Sequence, residues 1–111
     1  MYINLVKDYE VKPFGRYCIE SSHCGHTSGE EVRDFILKQH LDELKDGEVL
    51  TIDLTGSNRF HLSWLEECFG GLVRHYGVNP QVVNIIHNEC PRIVEDAYKM
   101  MENAWRVKHG F

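Results

Sequence analysis

Apolar residues along this chain alternate between two spacings. In some stretches they are short, close-set and rich in β-branched residues; in others they recur every three or four positions. The first spacing predicts strands and the second predicts amphipathic helices. "YINLV", residues 2–6, alternates weakly and is read as a strand. After "KPFG", the run Arg16 to Glu20 fits a second strand or hairpin partner, and the polar "SSHCGHTSG" reads as a loop. Ser28 with Glu31 three residues on forms a capping-box pattern. Val32, Phe35, Ile36, Leu41 and Leu44 then follow at helical spacing, and Asp46-Gly47 ends that helix.

"EVLTIDL" is short, apolar and bounded by turn residues, which predicts a central buried strand. "TGSNRF" is the loop leaving its carboxyl end. A second helix runs from about Ser63 to Tyr76, with Leu65, Cys68, Phe69, Leu72 and Val73 as its buried stripe and Gly77 as its stop. Gly70-Gly71 inside it costs about 1 kcal/mol per glycine relative to alanine, which points to close approach by another backbone, that of the sheet. "QVVNIIH" is a further strand. Cys90-Pro91 opens a third helix, with proline at the first helical position and Val94, Ala97, Tyr98, Met101 and Trp105 on its apolar face.

The order β, β, α, β, α, β, α predicts an α/β sandwich with a mixed, mostly parallel sheet of about four strands and three main helices. Residues 1–111 are read as a single domain, with no repeat, linker or low-complexity segment. In such sheets function gathers beyond the carboxyl ends of the strands, where the loop Thr55 to Ser63 falls.

Composition narrows the functional classes. Hydrophobic residues make up 42% of the 111, enough for a core without staples, and the formal net charge is −5. That balance argues against nucleic acid, which needs a basic face, and against an anionic membrane surface. No apolar run approaches the length of a membrane span, and "MYINLVKDYE" lacks the basic start and apolar centre of a signal peptide. The expectation is a cytoplasmic protein, with Cys18, Cys24, Cys68 and Cys90 as free thiols. No phosphate-cradling glycine pattern is present, so no cofactor is expected.

Two blocks, "TSGEEVRDFIL" and "VLTIDLTGSNRFHLSWLEECFGGLVRHYG", resemble the STAS-like family of unknown function DUF4325. The family's first helix start corresponds to Ser28, Gly29, Glu30, Glu31 and Arg33, the arginine standing one place earlier here. Its strand with Asp then Gly corresponds to Asp53 and Gly56. Its second helix corresponds to Ser63, Trp64, Leu65, Glu66, Glu67, Phe69, Gly70, Gly71, Leu72, Val73 and Arg74. The likeness covers Arg16 to Tyr76, and the last third only by pattern.

The resemblance implies a STAS-like sandwich that binds another protein and is not an enzyme. The family is similar to anti-sigma-factor antagonists, which dock on histidine-kinase-like ATPases and are released when a serine at the matching helix start is phosphorylated. Ser63 lies at that place. The usual signature there is Asp-Ser-Ser-Gly, whereas this chain has His61-Leu62-Ser63-Trp64. The implied partner surface is Thr55, Asn58, Arg59, Phe60, His61, Ser63 and Trp64.

Each of these residues also has a plainer reading. Ser63 is the ordinary residue for an N-cap, with Glu66 closing a capping box. A phospho-acceptor role is compatible with that, and a nucleophile is disfavoured because Gly-x-Ser-x-Gly is missing. Glu66 and Glu67 are adjacent, so one caps and the other is solvated or pairs with Arg74 or Arg33. Glu30 and Glu31 complement the helix dipole, whereas Arg33 opposes it, which points to a specific partner. Phe60 and His61 sit on the loop, and exposed aromatics there would suit an interface; Trp64 is read first as core. Cys68 is a small core residue, Cys18 a packed strand residue, and Cys90 a thiol at a helix start. His23, His26, His87 and Cys90 could join in a small metal site, one alternative to the binding reading, though their spacing fits scattered loop residues better. A hydrolase or transferase using Ser63 or Cys90 is the other, and both rank below binding.

Overall fold

The structure is a computed structural model that describes residues 1–18 and 27–110. Three strands, β1 (Tyr2–Asn4), β2 (Leu50–Asp53) and β3 (Val83–Ile86), form a parallel sheet in the order β1-β2-β3. Residue Ile3 pairs with Ile52, and Ile52 with Ile85, so one row of isoleucines crosses the sheet. Alternation sends Ile3, Leu50, Ile52, Leu54, Val83 and Ile85 into the core. The opposite face carries the register-matched row Tyr2, Thr51 and Asn84. The central position of β2 matches the sequence reading.

Among the described residues four helices accompany the sheet, besides a 3-10 turn at Pro80–Val82: α1 (Leu5–Tyr9), α2 (residues 29–42), α3 (residues 62–76) and α4 (Pro91–Lys108). Both α2 and α3 are interrupted by one π-helical turn, Arg33–Leu37 and Glu66–Gly70. The stripe expected on α3 is buried throughout: Leu65, Cys68, Phe69, Leu72 and Val73. Its stop is also as expected, with Gly77 at φ +66°. On α4, Ala97 and Met101 are buried and Val94, Tyr98 and Trp105 pack at the margin of the core; Ile93 and Ala104 join them.

Several expectations are corrected. The strand placed at Arg16 to Glu20 is absent over Arg16–Cys18, which form a bend and a short 3-10 turn; residues 19 and 20 lie outside the described residues. Backbone bonds of this segment go to the start of α2 instead, from Gly29 N to Gly15 O and from Glu30 N to Arg16 O. The described sheet therefore has three strands, all parallel. Phe35 is exposed, and Leu37 takes its place in the core. The π turn adds a residue to that helical turn and shifts the apolar stripe. Helix α2 ends at Asp42, before Asp46-Gly47, and α1 was not anticipated, being only five residues long.

Candidate functional site

Most of the motif pattern in residues 28–74 resolves into internal architecture. Ser28 caps α2 as expected: its hydroxyl accepts from Glu31 N at 3.2 Å and donates to Glu31 Oε1 at 2.8 Å, and Ser28 N donates to the same oxygen. Gly29 lets the two helix starts touch, since a Cβ there would lie 2.6 Å from Trp64 O.

Arg33, only 4% exposed, is the hub. Its Nε and Nη2 bind the Asp34 carboxylate at 2.8 and 3.1 Å, while Nη1 donates to Glu67 Oε2 and, at 3.2 Å, to Glu67 O. Each nitrogen of the buried guanidinium thus has a partner, which is what makes burying its charge tolerable. Each π turn supplies one member of this pair. A Cβ on Gly71 would strike Arg33 Nη1 at 2.6 Å, and one on Gly70 would lie 2.7 Å from Glu66 Oε2. The close approach predicted for the two glycines therefore comes from charged side chains, with the backbone of α4 next at Gly70 (Met100 O, 3.4 Å), and not from the sheet.

Glu66 faces outward between Arg16 (2.6 Å) and Arg74. Burial pushes its carboxyl pKa up, but the bonds from Arg74 and Arg16 outweigh that, and it lies below the usual value. For Asp34, likewise, the Arg33 and Tyr76 hydrogen bonds outweigh burial. Against the expectation that one of the two adjacent glutamates caps and only the other is solvated or pairs with Arg74 or Arg33, both pair, Glu66 with Arg16 and Arg74 and Glu67 with Arg33, and neither caps a helix.

Ser63 does not cap α3. The N-cap is His61, without a side-chain hydrogen bond, so Ser63 is the second residue of the helix and is exposed. The capping box with Glu66 fails because the N-cap falls at His61, two residues before Ser63, and because Glu66 is drawn to two arginines. Around Ser63 the chain is pinned twice. Phe60 and Trp64 are buried, with ring centroids 5.0 Å apart at 72°, and Trp64 Nε1 donates to Thr27 O at 2.8 Å. These two aromatics are core anchors rather than surface residues. Between them His61, Leu62 and Ser63 stand exposed, continuous with exposed Asn58 and Arg59.

The strand ends fix the rest of the loop. Asp53 accepts from Thr55 N at 2.9 Å and from the Tyr2 hydroxyl, and these bonds outweigh burial to hold its pKa below the usual range. Asn4 Nδ2 donates to Thr55 O at 3.2 Å. Gly56 has φ +118° and lies against Val6, where a Cβ would come within 2.9 Å, so only glycine fits. His87, buried at the end of β3, accepts from Glu89 N (3.1 Å) and Cys90 N (3.0 Å) at Nδ1, leaving Nε2 to donate to Ser57 O at 2.7 Å. A cavity of about 410 Å³ opens beside it, lined by Gly56, Ser57, Asn58, His87, Glu89 and Cys90.

The alternative metal set lies only partly within the described residues. His23 and His26, like Cys24, lie outside the described residues, and both ring nitrogens of His87 are committed. Among the described residues no group of three or more potential ligands converges. Cys90 is free and half-buried; Cys68 is free and buried, and burial pushes its thiol pKa well up. Cys18, expected as a free thiol in a strand, is disulfide-bonded. Among the described residues no helix is long and apolar enough to cross a membrane.

Sequence reasoning missed the roles of Arg16, Tyr2 and His87. His87 had a signal, since a histidine directly after a strand and before Cys90-Pro91 can cap the turn between them. Arg16 and Tyr2 had none, because their partners lie some fifty residues away.

No curated protein and no solved structure matches the chain. The family described as "STAS-like domain of unknown function (DUF4325)" matches residues 28–88, more than half of the 111. That span runs from the Ser28 cap to the turn after His87 and contains both members of the Arg33–Glu67 pair, and on it the chain belongs to the STAS-like DUF4325 family.

Proposed function

We propose that this chain is a non-enzymatic docking module, that its docking surface is the turn Asn58 to Ser63 with Thr55 at its base, and that its partner is a histidine-kinase-like ATPase. In this reading it works in the cytoplasm by mutual exclusion: while the module sits on the partner, another protein cannot. The observation that carries the reading is the division of the family-matched segment. Its motif residues Glu31, Arg33, Asp53, Glu66 and Glu67 and the glycines Gly29, Gly56, Gly70 and Gly71 are spent on internal contacts, while Asn58, Arg59, His61, Leu62 and Ser63 are solvent-facing beyond the carboxyl end of the central strand. Buried Phe60 and Trp64 hold that turn in one shape, which lowers the ordering cost of binding.

Ser63 is the regulated position in this proposal. Its exposed hydroxyl makes no hydrogen bond among the described residues and is not the N-cap, so a phosphate would add roughly −1.5 to −2 charge to the docking surface without removing a cap. An enzymatic reading has less support: no hydrogen bond links the Ser63 hydroxyl to a base among the described residues. The test is a pull-down from host lysate, with and without ATP. It compares wild type with a variant carrying Asn58→Ala, His61→Ala and Ser63→Ala. Loss of a retained ATPase in the variant supports the reading; equal retention overturns it.

A further inference from the structure

We infer that the surface received by this turn is a protein surface with carboxylates around an apolar hollow, Arg59 and His61 meeting the carboxylates and Leu62 entering the hollow. The inference names the partner chemistry of the docking site proposed above and rests on that reading.

Three observations carry it. From Leu54 to Leu65 the chain has no Asp or Glu, although it carries 17 acidic residues and a net charge of −5. The other arginines of the matched segment are spent internally, Arg33 on Asp34 and Glu67, and Arg74 on Glu66. Arg59, exposed, has no ion pair among the described residues. Between Arg59 and Ser63, Leu62 is 53% exposed, although it adjoins two residues that are fully committed to the core two positions to either side.

An unpaired guanidinium beside a projecting leucine fits an acidic rim around a pocket. Charge complementarity of this kind fixes orientation and speeds encounter, while the apolar anchor supplies affinity. A basic surface would instead meet Arg59 as a like charge. A nucleic acid would satisfy Arg59 but offers no hollow for Leu62, and the rest of this acidic chain would repel it. Glu89, which lines the cavity beside Asn58, confines the favourable region to the Arg59–Leu62 side.

The test uses the isotope-labelled full chain and amide chemical shifts. Three probes are titrated: a peptide of leucines spaced among glutamates, the same peptide with lysines for glutamates, and a short single-stranded DNA. The expected result is shift changes confined to Asn58–Ser63 with the glutamate peptide alone. Arg59→Glu should weaken that binding by at least about tenfold, since a like-charge contact costs more than one decade of affinity. Leu62→Asp should abolish it. Equal binding of both peptides, insensitive to Arg59→Glu, overturns the acidic preference and leaves docking standing. DNA binding at the turn as tightly as the glutamate peptide overturns it in favour of a phosphate partner. Absence of shifts at the turn with every probe also overturns it, and the pull-down above judges docking separately.

Discussion

The guanidinium of Arg33 occupies the space that a side chain at Gly71 would fill: a Cβ there would lie 2.6 Å from Nη1 and 2.8 Å from Cδ. One glycine in the middle of α3 is thus explained by one buried arginine on α2. Gly71→Ala is expected to cost about 1–3 kcal/mol, as overpacking does, measured by urea unfolding. Arg33→Ala is expected to cost about 3 kcal/mol, the lower end of the range for stranding a buried charge, because Arg16 still reaches Glu67 at 3.3 Å. The two substitutions should be non-additive, the alanine methyl at 71 being accommodated once Arg33 is gone.

The two helix-start serines should behave differently. Ser28→Ala removes a buried cap and should cost about 1 kcal/mol or more. Ser63→Ala removes an exposed hydroxyl that caps nothing, and should stay within about 0.5 kcal/mol of wild type. Equal losses in thermal or urea unfolding would mean that Ser63 is a cap after all.

Acid should destabilise the fold in a defined sense. Asp34, Asp53 and Glu66 all have folded pKa values below the ordinary 3.8 and 4.5. In the acid range the unfolded chain then binds more protons, so stability rises with pH. Their contribution is complete above those ordinary values and is lost as pH falls through the lower folded ones. Arg74→Ala should raise the Glu66 value toward normal and flatten that part of the curve, read by carboxyl NMR titration.

His87 ties Ser57 O to the N–H groups of Glu89 and Cys90. His87→Ala leaves these groups without their partner and should cost about 1–3 kcal/mol. Amide hydrogen exchange should quicken at Glu89 and Cys90 and in the neighbouring loop of residues 57–61, ahead of exchange in β2.

Local signals in the sequence were enough for the central strand, the α3 stripe, the Ser28 capping box and the Cys90-Pro91 helix start. Each depends on residues within one or two turns of one another. The fourth strand failed because "RYCIE" has strand-like composition but spends its described backbone bonds on the start of α2. Phe35 failed because a π turn cannot be read from periodicity. Ser63 failed as a cap because the N-cap is His61, and boundaries of that kind shift by one or two residues without changing the pattern. For the site, the location beyond β2 was legible. The division of the loop into buried pins, Phe60 and Trp64, and an exposed turn depended on tertiary contacts with Thr27 and Phe69.

The most direct test of docking through this turn replaces Leu62 with a photo-cross-linking amino acid in the host. Val107, 80% exposed near the end of α4, serves as the control position. The account predicts one dominant cross-linked partner from Leu62, a histidine-kinase-like ATPase, and none from Val107. That ATPase cross-linked from Val107 and not from Leu62 would contradict it.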